Sequence, residues 1–115
     1  MMRVIVVGGA GLPDQVAAAL RNAGDEVTVI EGDLLVPVTL EAAGALKADV
    51  LAALTPSDED NLVISLLAKR RFQIPRIVAL VNDPANEALF DSSWGVDALV
   101  SPATALVSMI RSATP

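Results

Sequence analysis

The chain contains no cysteine, no histidine and no tyrosine. Without cysteine there is neither a disulfide nor a thiolate metal site. Together the three absences remove most of the usual nucleophiles, general bases and metal ligands. Aromatic residues are scarce, one Trp and two Phe, so the core must be built from Ala, Val, Leu and Ile. Basic residues number 8 against 14 acidic ones and form no patch, which argues against nucleic acid as a partner. No apolar run reaches membrane-spanning length, and direct membrane insertion is not expected. The start, Met1 to Gly8, is too short and too soon broken by glycine for a signal peptide, so a cytoplasmic location is expected.

What is present organises itself around the first twenty residues. Arg3 to Val7, RVIVV, is a short β-branched run suited to a central strand of a parallel sheet. Gly8-Gly9-Ala10-Gly11 lets the chain turn sharply and approach a ligand closely with its backbone. From Leu12 the spacing is helical: Leu12, Val16, Ala19, Leu20 and Ala23 share a face, and Gly24 follows as the C-cap. A strand feeding a helix through glycines resembles the opening of a dinucleotide-binding fold. The second strand, Asp25 to Ile30, ends at Glu31, where such folds place an acid that bonds a ribose hydroxyl. A solvated acid at a strand end is the equal alternative.

Between Glu31 and the next strand, Asp49 to Leu54, there is room for one helix only. Pro37 breaks the first part, and Thr39 can cap a helix from Leu40 to Leu46 with Glu41 in its first turn. A full mononucleotide-binding half needs a helix, a strand and a second helix here. The expectation is therefore a shortened sheet, with no strand between Glu31 and Asp49. Ser57 then caps a helix with Asp58, Glu59 and Asp60 in its first turn and Lys69, Arg70 and Arg71 in its last, both favourable to the dipole. The acid triplet reads as capping and solvation before it reads as a cation site. Arg76 to Val81 is the next strand. Asp83-Pro84 opens a helix to about Asp91, Val96 to Val100 is the last strand, and Ser101-Pro102 opens a final helix, Ala103 to Ile110. One helix per crossover implies parallel strands. Residues 1–115 are thus expected to form a single α/β domain, a three-layer Rossmann-like fold with five parallel strands in the order 2-1-3-4-5. The stretch Leu62 to Ala68 is apolar nearly all round, and the last helix adds Leu106, Val107, Met109 and Ile110. With Trp94 as an anchor, these predict a homo-oligomer, a dimer or higher.

From Ala48 onward the chain resembles the N-terminal domain of the RCK (KTN) family, of TrkA-N type. These are regulatory domains of potassium channels and of Trk/Ktr potassium transporters. The resemblance rests on the strand ending in Ala53-Leu54-Thr55, the helix start Asp58 to Asn61, Ala68-Lys69-Arg70, Val81-Asn82-Asp83-Pro84, and Gly95-Val96-Asp97 leading into Val100-Ser101-Pro102. Gly32-Asp33 and the Leu40 to Asp49 segment also look like that family. The resemblance implies a non-catalytic, regulatory potassium-transport domain that binds NAD(H) or an adenine nucleotide such as ATP, ADP or AMP, oligomerises, and works at the inner face of the membrane through a transporter or channel. It places the nucleotide on Gly8, Gly9, Ala10, Gly11, Leu12, Glu31, Gly32, Asp33, Leu54 and Thr55. The departures are equally specific. The family's three glycines fall on Gly8, Ala10 and Pro13, and its two basic positions on Gly11 and Leu80. A degenerate domain without nucleotide, serving assembly or protein interaction, is the alternative. The glycine turn is also similar to short-chain dehydrogenases and epimerases, but their Tyr–Lys pair has no counterpart in a chain without Tyr.

Overall fold

A computed structural model describes residues 1–31 and 37–113. Five parallel strands form one sheet in the order β2-β1-β3-β4-β5, as the crossover count predicts. They are β1 (Arg3–Val7), β2 (Glu26–Ile30), β3 (Val50–Ala53), β4 (Arg76–Leu80) and β5 (Ala98–Val100). Among the described residues, four α-helices accompany them: α1 (Leu12–Asn22), α2 (Pro37–Ala42), α3 (Asp58–Phe72) and α4 (Pro102–Arg111). Among the described residues between Glu31 and Asp49 there is no strand, only α2 and a single 3-10 turn, Ala45–Lys47.

Alternation along β1 sends side chains to two separate cores. Val4 and Val6 pack with Ala17 and Leu20 of α1 and with Val27 and Val29 of β2. Ile5 and Val7 face the other way, into the larger cluster with Leu40, Leu51, Leu62, Ile64 and Ile77. The sheet is thus covered by α1 on one side and by α2 and α3 on the other. Central strands buried on both faces need not alternate in polarity, which is why β1 and β3 read as continuous apolar runs.

Three local expectations change. α2 starts at Pro37, before Thr39, and stops short of Gly44, whose positive φ of 94° ends regular helix there. The segment after Asp83 winds as 3-10 turns, Pro84–Leu89 and Ser92–Trp94, although Asp83 does cap it through Ala85 N–H at 3.0 Å. The apolar surface of α3 is largely absorbed inside the domain: Leu62, Ile64, Ala68 and Phe72 are buried and Val63 alone of its large apolar residues is exposed. The exposed apolar surface lies instead on α4, which buries none of its residues and leaves Leu106, Val107, Met109 and Ile110 at 52–73% exposure.

Candidate functional site

β1 hands the chain to β2 on one side, and β3 begins on the other. The C-terminal ends of β1 and β3 therefore flank the point where strand order reverses, the place where open α/β sheets form a ligand crevice. A recess of about 410 Å³ lies there, lined by Gly9, Ala10, Leu12, Pro13, Leu54, Pro56, Leu80 and Asn82.

The floor is made by backbone approaching backbone. A Cβ on Gly8 would stand 2.5 Å from Pro13 Cγ and 3.0 Å from the Leu54 carbonyl oxygen, so only glycine lets β1, α1 and β3 meet. Gly11 caps α1 at φ 91°, ψ -122°, a conformation closed to side-chain-bearing residues. A basic side chain at Gly11 itself would be strained there. Among the described residues, the N–H groups of Gly9, Ala10, Gly11, Leu12 and Asp14 have no acceptor within the protein. They gather at the positive end of α1 and could meet an anion. Two features oppose one. Pro13 lies in the first turn and removes an N–H, and Asp14 adds a carboxylate to the same turn. Glu31 comes to the rim: its Oε2 would lie 3.3 Å from a Cβ on Gly9.

The opposite wall is held by a polar network that the sequence reading treated only as a helix start. As β3 and β4 diverge, the side chain of Asn61 takes the place of the next ladder peptide. Its Oδ1 accepts from Thr55 N–H at 2.9 Å and Thr55 Oγ1 at 2.7 Å. Its Nδ2 donates to the carbonyls of Thr55 at 3.0 Å and Leu80 at 2.9 Å. Asn61 is fully buried with all four bonds made. Ser57 Oγ caps α3 by accepting from Asp60 N–H at 3.1 Å, but its own N–H turns to Thr55 Oγ1, so the reciprocal half of a capping box is not formed. Asn82 reaches back to the Thr55 carbonyl at 3.0 Å.

Asp58 ties this wall to the loop after β4. Its carboxylate accepts from the Asn82 and Asp83 N–H groups and from the Asn82 and Asn86 side chains, at 2.6–3.0 Å. Partial burial alone would raise its pKa; the donors outweigh that and hold it below the usual carboxylate value. A depressed pKa contributes stability that is whole above the unfolded value and is lost as pH falls through the folded one. Asp58→Asn is expected to cost about 1–3 kcal/mol at pH 7. In urea melts at neutral pH and near pH 3, the gap to the wild type should narrow in acid.

The structure brings Gly9, Ala10, Leu12 and Leu54 together in the recess, with Gly8 and Gly11 shaping the turn and Glu31 beside it. The Thr55 side chain turns inward, is 2% exposed and is committed to Asn61 and Ser57. Gly32 and Asp33 lie outside the described residues. Pro13 and Leu80, which stand at the family's third glycine and second basic positions, also line the recess, as do Pro56 and Asn82, which no spacing rule singles out. Asn61 did carry a signal, a lone amide entering an otherwise apolar helix run.

A family model for the TrkA-N domain matches residues 4–102. The chain is 38% identical over 130 positions to the Trk system potassium uptake protein TrkA of Mycobacterium tuberculosis, taking in 97% of this chain and 59% of that protein. It therefore spans about three-fifths of that relative's length, and a match of 130 positions against 115 residues leaves at least 15 of them without a residue here. Solved structures share the fold at lower identity. The RCK domain of GsuK superimposes with a TM-score of 0.84 at 22% identity, over 95% of this chain and 27% of that one. The GsuK channel bound to NAD gives 0.83 at 22%, over 96% and 22%. GsuK bound to ADP gives 0.84 at 22%, over 95% and 32%. Among the described residues, no helix is long and apolar enough to cross a membrane.

Proposed function

This chain belongs to the TrkA-N domain family, and from that premise we propose that it is a non-catalytic, nucleotide-responsive regulatory domain of a potassium uptake system. The observation that carries the proposal is the recess at the strand-order reversal, with unbonded amides on one side and the Glu31 carboxylate on its rim. The ligand is an adenine nucleotide or NAD(H). Glu31 bonds the ribose, and Gly9, Ala10, Leu12 and Leu54 supply the close walls; Gly8 and Gly11 form the turn. Gly32 and Asp33 complete the proposed contact set, while Thr55, buried and bonded to Asn61 and Asn82, supports the wall behind Leu54. GsuK, which shares the fold, has been crystallised with NAD and with ADP. Regulation then follows from differential affinity: a nucleotide moves a transporter only if it binds two arrangements of this domain unequally. The place of work is the cytoplasmic face of the membrane, beside the transporter. The direct test is to denature the freshly purified protein and examine the supernatant by absorbance and mass spectrometry. A stoichiometric adenine nucleotide supports the reading. No nucleotide, and no thermal shift with millimolar AMP, ADP, ATP or NAD(H), would favour a domain that has kept the fold and lost the ligand.

The exposed apolar side of α4 favours a second copy of the chain as an additional partner. Leu106, Met109 and Ile110 are 62–73% exposed on a ten-residue helix, and a solvated monomer seldom leaves such a contiguous patch open. Light scattering at micromolar concentration is expected to give at least twice the 11.9 kDa chain mass. Leu106→Glu with Ile110→Glu should return it to a monomer with unchanged circular dichroism, and a wild type at 11.9 kDa would rule the dimer out.

A further inference from the structure

We propose that the outer edge of β2 is a latent pairing surface for β2 of a second copy of this chain, and that Arg21 keeps it shut. β2 is a terminal strand of the sheet. Glu26 N–H donates to the Met2 carbonyl and the Ile30 carbonyl accepts from Gly8 N–H, both at 2.9 Å, so residues 26, 28 and 30 turn their backbone groups toward β1. By alternation, Val27 and Val29 turn theirs outward. Among the described residues a single bond reaches these outward groups: Arg21 Nη2, from the last turn of α1, donates to the Val27 carbonyl at 2.9 Å. The strand itself, EVTVI, holds no proline and no lysine, the devices that usually blunt an edge.

The edge is self-complementary. A two-fold axis through Thr28 sets Val27 opposite Val29 of the second copy, and Val29 opposite its Val27. Both are outward-facing positions, so each pair exchanges two N–H···O=C bonds and four form in all. Thr28 meets Thr28, a favourable cross-strand pair. Glu26 falls opposite Ile30, so no like charges are opposed. Among the described residues the neighbouring surface is open as well. A recess of about 270 Å³ runs along β1 and β2 past Arg3, Ile5, Glu26 and Thr28 to Lys47. A guanidinium on the edge carbonyl occupies one of the outward bonding positions and so denies the ladder to another chain.

The test compares wild type and Arg21→Ala by light scattering from micromolar to millimolar concentration, with amide exchange read residue by residue. Arg21→Ala is expected to run at a higher mass than the wild type at equal concentration. The amides of Val27 and Val29 should become protected by about tenfold or more as concentration rises. Adding Val29→Pro, which removes one outward N–H, should restore the wild-type mass. Should Arg21→Ala not fold, Arg21→Lys, which keeps the charge but lacks the fork, is expected to show the same change in smaller measure. A variant with wild-type mass throughout, or one that associates while Val27 and Val29 exchange freely, would overturn the proposal.

Discussion

Asn61→Leu is expected to destabilise the domain more than any other single substitution of similar size, by about 2–6 kcal/mol. Leucine matches asparagine in shape, so the effect isolates the polar groups. Its loss leaves Thr55 N–H and the Leu80 carbonyl without the partners they have at 2.9 Å, in a place from which water is excluded. Each orphaned buried group costs roughly 1–3 kcal/mol. Against a total stability of about 5–15 kcal/mol for a domain, such a loss leaves a fraction of the molecules unfolded at room temperature. Asn61→Asp should be no milder: it keeps the acceptor for Thr55 but turns a carboxylate oxygen toward two carbonyls. Equilibrium urea unfolding reads both. A Leu variant within about 1 kcal/mol of the wild type would mean that β3 and β4 hold together without this amide.

The second large effect is a gain. Pro13→Gly with Asp14→Ala is expected to raise affinity for NAD about tenfold or more while leaving adenosine nearly unchanged. Pro13 takes one donor from the first turn of α1, and Asp14 sets a negative charge where a phosphate would lie. A regained hydrogen bond to a charged group is worth about 1.5–3 kcal/mol, and about 1.4 kcal/mol is tenfold in affinity. The same two residues favour the empty helix, since proline and an acid both suit its first turn. Pro13 also packs its ring onto Gly8, so the variant should melt earlier than the wild type. Affinity and stability then move in opposite directions, which a change acting only through unfolding could not produce. Calorimetric titration with NAD and with adenosine separates the two.

The sheet was legible because its signals are local: β-branched runs for strands, glycine or proline punctuation between them, and one helical crossover each. Counting residues from Glu31 to Asp49 was enough to predict the order of the five strands. The 3-10 winding after Asp83 was not legible, because its cap and its proline open an α-helix just as well. Nor was the burial of α3: an all-round apolar helix reads the same whether the domain's own strands or a partner covers it. Around the recess, glycine spacing pointed to the turn from Gly8 to Leu12, and the family resemblance pointed to Leu54. The direction Thr55 turns was hidden, because it depends on Asn61, six residues on and reachable only after α3 folds back over β3. Arg21 on the β2 edge escaped for the same reason: that contact exists only once α1 lies across the sheet.

The central claim is that this recess holds a nucleotide by its nucleoside and only weakly by its phosphates. Titrating the wild-type protein with adenosine, AMP and NAD in one calorimetric series tests it most directly. The account predicts dissociation constants within about threefold of one another, a spread of roughly 0.7 kcal/mol. NAD binding a hundredfold tighter than adenosine would contradict it, because the pyrophosphate would then be held by a turn that carries Pro13 and Asp14.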